Sequence, residues 1–479
     1  MRLRGGVLGL NRARTTSLIL IATALTVLAG ASPAAATRGL ITGFGGPVDD
    51  QDLARMTSAG AGAVLIQVNW AGIAPQRPLI PQSPADPSYR FGALDQQVEA
   101  ASAAGLQVIL DFTSAPAWAE GRDRPDTAPA GTWRPDPAAV GDFGQALAAR
   151  YSGRFTPPLA SSALPRVRYF EVWNEPNLLI YLTPQWQGKA PASPALYRRM
   201  LNSAYAGIKA AQPDAVVVTA GTAPYGESRG VARMRPLLFW RRLLCLRQDS
   251  LRATRCPTRA HFDVLAHHPI DTAGGPHHRS LASGDISMPE LHKLRSLLRA
   301  AERRHTIQPA GRKPLWATEF WWVSDPPNKR YGVPLPRFAR WIEGGLYELW
   351  RQGASLALNL EVRDAPYDAT SPLAYGQGGI FFHNGSKKRQ AFTAFSFPFV
   401  VHRRSSGRLV AWGKSPRAGT LTIERRRRGG WRKVMSLPVK AGAPGPVFTA
   451  SMRIHGAATL RATIDNLHSL SQKVHNPRR

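Results

Sequence analysis

From Leu40 to about Phe399 short apolar runs alternate with longer amphipathic segments, and the alternation repeats eight times. Strands are expected at Gly39–Phe44, Ala63–Asn69, Leu106–Phe112, Val167–Trp173, Ala215–Ala220, Phe262–His267, Leu315–Glu319 and Ser355–Leu360. Helices are expected at Asp49–Ser58, Ala93–Ala104, Pro137–Tyr151, Pro194–Ala211, Val231–Leu246, Pro289–His305, Leu335–Arg351 and Lys388–Phe395. Eight strand–helix units in series predict an α/β fold, a (β/α)8 TIM barrel.

The connections agree with that reading. Helix-to-strand joins are often tight, as at Ala59-Gly60-Ala61-Gly62, Gly105 and Gln352-Gly353-Ala354. Strand-to-helix joins are long: residues 70–92, 113–136, 177–193, 221–230, 268–288, 320–334 and 361–387. Long loops on one face are how a barrel builds its site, at the C-terminal ends of the strands.

Two strand tips carry the chemistry. Tyr169-Phe170-Glu171-Val172-Trp173-Asn174-Glu175-Pro176-Asn177 is an apolar strand stopped by Pro176, which leaves Asn174 and Glu175 at its end. Pro314-Leu315-Trp316-Ala317-Thr318-Glu319-Phe320-Trp321-Trp322 has the same build. Paired carboxylates among aromatics suit retaining glycoside hydrolysis, with one carboxyl attacking the anomeric carbon and the other protonating the departing oxygen. Glu175 is expected as acid/base with a raised pKa, Glu319 as an ionised nucleophile, and Asn174 as a partner of the sugar 2-OH. Trp70, Trp118, Trp173, Trp321 and Trp322 sit near the same face as candidate sugar-stacking rings, with ordinary packing expected for about half of the tryptophans there. His267 and His268 read either as substrate contacts or as structural hydrogen-bonding groups. Glu171, inside the strand, is expected to pair with a barrel arginine, and Asp111 and Glu361 read as structural or as polar groups of a subsite. His277-His278 with His267-His268 fits no familiar metal spacing, so neither metal nor cofactor is expected.

On these residues the chain resembles clan A glycoside hydrolases, of the cellulase-like family 5 or the β-xylosidase/iduronidase-like family 39 type. In that clan an Asn-Glu-Pro after strand four carries the acid/base, matching Asn174, Glu175 and Pro176, and a glutamate ending strand seven, matching Glu319, is the nucleophile. Strand six there often ends His-x-Tyr or His-Pro-Tyr, whereas this chain reads His267-His268-Pro269-Ile270. Strand eight usually offers a tryptophan, and here it ends Asn359-Leu360-Glu361. The resemblance covers roughly residues 40–400 and implies a glycosidase acting on an oligo- or polysaccharide. A catalytically silent carbohydrate- or envelope-binding barrel is the competing class, and a transglycosylase is a third.

Beyond about Val400 short strands at turn-punctuated spacing predict a small all-β sandwich, so residues 37–400 and 401–479 are expected as two domains. Residues 401–479 hold 17 Lys/Arg against Glu424 and Asp465. That charge suits an anionic cell-envelope polymer, or else fills solvated positions. No nucleic-acid motif accompanies it. The last residues, 472–479, read as frayed.

Residues 1–36 are expected as a signal peptide. Four arginines precede an apolar run from Leu18 to Leu28, and Ala34-Ala35-Ala36 supplies a cleavage site. The expectation is a secreted, extracellular chain with no membrane span after cleavage. In such a chain Cys245 and Cys256 are expected to form a disulfide, with two free thiols as the alternative.

Overall fold

A computed structural model describes residues 38–479 apart from 47–48, 228–229, 231, 272–273, 405–406, 441–445 and 477–479. The expected leader, residues 1–36, lies outside these. Eight parallel strands form one sheet: β1 (Ile41–Phe44), β2 (Ala63–Asn69), β3 (Gln107–Thr113), β4 (Tyr169–Val172), β5 (Val216–Thr219), β6 (Leu265–His267), β7 (Leu315–Phe320) and β8 (Ala354–Asn359). Their order is β5-β4-β3-β2-β1-β8-β7-β6, and a parallel bridge from Val218 to Val264 brings the two ends together. The architecture is the expected (β/α)8 barrel.

The helices are α1 (Asp50–Ser58), α2 (Gly92–Ala103), α3 (Pro137–Arg150), α4 (Ser193–Ala211), α5 (Pro236–Leu243), α6 (Leu291–Arg303), α7 (Leu335–Gln352) and α8 (Arg389–Ser396). Their ends follow from capping chemistry. The Asp49 carboxylate accepts the Asp52 N–H at 2.6 Å, Asp136 accepts that of Ala138 ahead of Pro137, and left-handed Gly353 ends α7. The helix expected over 231–246 is shorter. Ala232 and Met234 pair by backbone with Leu179 and Asn177, and Pro236 then sets the first helical turn, while Val231 lies outside the described residues. Cys245, just past that helix, is bonded to Cys256.

Alternate residues of each strand face inward. Leu65, Ile109, Val218, Ala266, Trp316 and Leu358 fill the barrel, with the rings of Trp316 and Tyr169 5.4 Å apart. The outward set, including Phe44, Val68, Phe170 and Leu265, packs under the helices. This parity decides which side chains reach the C-terminal end of the barrel.

The C-terminal strands are β9 (Phe399–Arg403), β10 (Leu409–Lys414), β11 (Gly419–Arg427), β12 (Gly430–Val439), β13 (Val447–Met452), β14 (Ala458–Ile464), β15 (Leu467–His468) and β16 (Gln472–Val474). They form two antiparallel sheets, β9-β10-β13 and β12-β11-β14-β15, around Leu409, Leu421, Ile423, Leu460 and Ala462. Residues 472–474 are not frayed: β16 pairs with β14, and the Gln472 amide donates to Phe399 O at 2.7 Å. Lys414 pins the sandwich to the barrel by donating to Thr42 Oγ1 at 2.7 Å and Gly60 O at 3.1 Å. Among the described residues no helix is long and apolar enough to cross a membrane.

Candidate active site

Where β4 ends, the backbone turns sharply. Trp173 (φ 76°) and Glu175 (φ 34°) both lie in the left-handed region, at a cost of about 1–3 kcal/mol each. The surroundings enforce the turn. Trp173 N donates to Phe112 O at 2.9 Å, and Glu175 N to Gly221 O at 3.0 Å. The Asn177 amide bonds Ala223 O, Met234 O and Ala223 N. The result stands the Glu175 side chain over the barrel.

Glu319 arrives by a different device. Between Ala317↔Ala357 and Phe320↔Asn359, β7 advances three residues while β8 advances two. That extra residue is a bulge, which re-aims the side chains beyond it. Simple alternation would put Glu319 outside with Ala317; instead it lines a narrow cavity at the barrel top with Gln67, Asp111, Asn174, His268 and Thr318.

His268 joins the two glutamates. Its Nδ1 lies 3.1 Å from Glu175 Oε1 and 3.5 Å from Glu319 Oε2, and its Nε2 lies 3.2 Å from Thr318 Oγ1. The two contacts together cap the separation of those carboxylate oxygens at about 6.6 Å, at the near edge of the range for an inverting pair and compatible with the roughly 5–5.5 Å of a retaining one. Burial opposes charge on this imidazole, yet Glu319, then Glu175 and Glu171, outweigh it and push its pKa up to about 9. Near neutral pH His268 is therefore an imidazolium between two carboxyl groups. Gly221 makes room for the ring, since a Cβ there would lie 2.1 Å from His268 Cδ2 and Nε2.

The acidity pattern departs from expectation. Glu319, expected as the readily ionised partner, has its pKa raised to about 7 by burial, with Glu175 adding to the rise and His268 opposing it. Glu171 does not meet an arginine. It accepts the Gly221 N–H at 2.9 Å and the Thr318 hydroxyl at 3.0 Å, and burial raises it to about 7. Asp111 sits directly beside Glu171 in register, held well above the usual carboxylate range by burial and then by the charge of Glu171. Asp111 Oδ1 and Glu171 Oε2 are both buried without a hydrogen-bond partner. Gln67, Asp111 and Glu171 thus make one polar layer across β2, β3 and β4, above the apolar layers. Alternating positions could have revealed that layer; the missing partners could not be read from sequence.

Other expected site residues divide. His267 is fully buried on the outer face of β6, bonded to Thr222 Oγ1 at 2.9 Å and Ile286 O at 2.8 Å, and burial lowers its pKa to about 3. It is a neutral structural group, not a substrate contact. Trp70 and Trp173 are also enclosed. The first stacks on Phe143 at 5.2 Å, and the second donates to Tyr181 O at 2.8 Å. Trp322 is buried with its N–H on Gly274 O, and Trp118 is half-buried edge-on to Trp70 with its N–H on Ala74 O. Packing claims these four rings. Trp321 alone of the five lines the main cleft, a cavity of about 410 Å³ that opens on the Glu175 side beside Tyr225, Ile270, Asp271 and Tyr375. Tyr225 and Tyr375 carried no signal in the sequence, because they come from loops whose convergence only the fold decides. Glu361 is spent locally on the Gly378 N–H at 2.7 Å. His278 pairs with Asp271 at 2.6 Å, and among the described residues no cluster of three or more His, Cys, Asp or Glu could hold a metal ion.

No family model matches this chain, and no curated protein does. Solved structures do. One is a family 39 glycoside hydrolase from the gut symbiont Bacteroides cellulosilyticus WH2 (TM-score 0.53, 14% identity, 86% of this chain and 79% of that one). Another is the GH39 enzyme from Xanthomonas axonopodis pv. citri (TM-score 0.50, 15% identity, 88% and 93%). At such identities the likeness is one of fold: the chain has the barrel architecture of these glycoside hydrolases.

Proposed function

We propose that this protein is a retaining glycosidase, hydrolysing O-glycosidic bonds of an oligo- or polysaccharide by double displacement. The observation that carries this reading is the pair Glu175 and Glu319 sharing His268 at 3.1 and 3.5 Å. Glu319 attacks the anomeric carbon while Glu175 protonates the leaving oxygen, and Glu175 then takes a proton from the water that releases the glycosyl-enzyme. The His268 imidazolium holds negative charge on Glu319 against the cost of burial. Asn174, in the cavity with Glu319, faces the sugar 2-OH. The 410 Å³ cleft lies beside the acid/base, which suits it to the leaving group, with Trp321, Tyr225 and Tyr375 as stacking surfaces. No cofactor takes part in this mechanism.

Residues 37–479 would act outside the cell after removal of the leader. The strongly basic hairpin of β11 and β12, where Arg426 and, from the neighbouring β14, Arg461 lie over the Trp431 ring, would meet an anionic envelope polymer. One observation favours a sugar-binding barrel without turnover: the open cleft of about 410 Å³ is lined by Glu175 and not by Glu319, whose own cavity has a volume of only about 10 Å³.

Hydrolysis of a panel of aryl β-glycosides and polysaccharides decides between them. Glu175→Gln should lower kcat/KM by about 10²–10⁴-fold, least for substrates whose leaving group needs no protonation, and Glu319→Gln should lower it further for all. No turnover by the parent, with sugar binding intact in both variants, would establish the binding reading instead.

A further inference from the structure

At the N-terminal end of the barrel, opposite Glu175, cationic side chains converge on a hollow of about 360 Å³. Arg38 comes from the lead into β1, Arg295 and Arg299 from one face of α6, and Arg312 and Lys313 from the turn before β7. Arg295 and Arg299 are four apart on a helix, a like-charge spacing that destabilises it when nothing intervenes. Burial, and then Arg295, lowers the pKa of Arg38, and Arg295 is lowered by burial and then by Arg299 and Arg312.

The opposing charge is small. Glu302 lines the hollow, but one of its oxygens accepts the Lys313 backbone N–H at 2.8 Å. Arg295 has a structural duty, capping α7 through Gln352 O at 2.6 Å, and Arg38 lies over the Trp350 ring at 5.3 Å. Among the described residues Arg299 and Arg312 have neither a hydrogen bond nor an ion pair, and both are exposed in the hollow. A chain with 62 Lys and Arg scatters cations widely. Here five of them line one hollow, with Glu302 as the one carboxylate among its lining residues.

We propose that this hollow binds a phosphate group carried on a sugar. A phosphate dianion offsets several cations at once, and guanidinium forks match its oxygens in pairs. The volume exceeds what inorganic phosphate alone would fill and lies within the range of small-molecule sites, which favours the carried group over the free ion. The site is separate from the glutamate pair and does not depend on hydrolysis there.

Calorimetric titration of the purified protein at fixed ionic strength tests this, with glucose 6-phosphate, inorganic phosphate and glucose as probes. Glucose 6-phosphate should bind saturably, glucose should not, and R299Q/R312Q should weaken the sugar phosphate at least about tenfold. R38Q, on a different element, should weaken it as well, so the test survives if the double variant misfolds. R154Q, at an exposed position in the loop between α3 and β4 that lines no part of the hollow, should leave it unchanged. Inorganic phosphate binding as tightly as the sugar phosphate would assign the site to the free ion and overturn the sugar-borne ligand. Absence of saturable binding by either phosphate, or binding untouched by R299Q/R312Q and R38Q, would overturn the site altogether.

Discussion

His268 Nδ1 lies 3.1 Å from Glu175 Oε1 and 3.5 Å from Glu319 Oε2, so one imidazole is shared by the two carboxylates on which the proposed chemistry rests. A charged ring there opposes the rise that burial gives the Glu319 pKa.

His268→Gln keeps a hydrogen-bond donor and removes the charge. Glu319, already raised to about 7, then loses the charge that holds it down. The acid limb of the kcat/KM profile should move to higher pH, with about a tenfold or greater loss at pH 7. An unmoved acid limb in His268→Gln would remove the imidazole from the mechanism.

The same ring links pH to stability. Its folded pKa of about 9 stands above the unfolded value of 6.5, so its contribution is full below pH 6.5 and is lost as the pH rises through 9. The Tm advantage of the parent over His268→Gln should shrink across that window in thermal melts.

Gly221 donates to Glu171, accepts from Glu175 and lies against the His268 ring. Gly221→Ala places a methyl where the ring is, which overpacking puts at about 1–3 kcal/mol. Activity should fall far more than stability, because the displaced group is His268. A variant with lowered Tm and normal kcat would contradict the arrangement.

Trp321→Ala and Tyr225→Ala remove surface from the cleft on the Glu175 side. With oligosaccharides kcat/KM should drop about tenfold, mainly through KM. Small aryl glycosides should be affected less. Equal losses for both classes would place the leaving group elsewhere.

Lys414 is buried at the contact of the sandwich with the barrel, and burial lowers its pKa to about 8. Between pH 8 and the ordinary lysine value the unfolded chain binds more protons, so stability from this group rises with pH there. Lys414→Met should lose that rise, read as a flatter Tm against pH between 8 and 10. A slope equal to the parent's would show that Lys414 is charged without penalty.

Much of the site was legible because its signals are local. Asn174-Glu175-Pro176 is a strand end declared by proline, and Glu319 follows an apolar run. The pair of adjacent histidines was not. His267 and His268 face opposite sides of β6, and the parity could not be read because Leu265 and Ala266, on the two faces, are both apolar. The tryptophans failed for a related reason. Trp70, Trp173 and Trp321 all stand just beyond strand ends, and only packing tells which rings are enclosed.

The sequence by itself determined the eight-fold alternation, the strand tips and the residues that stand there, because hydrophobic period and proline act over a few residues. Tertiary structure decided that a bulge turns Glu319 inward and that Glu171 meets Thr318 and not an arginine. It decided also that His268 lies between the glutamates, and that cations from three separate segments share one hollow. Those outcomes depend on strand register and barrel closure, which are set by contacts between residues from about forty to some three hundred positions apart. No local pattern carries that information.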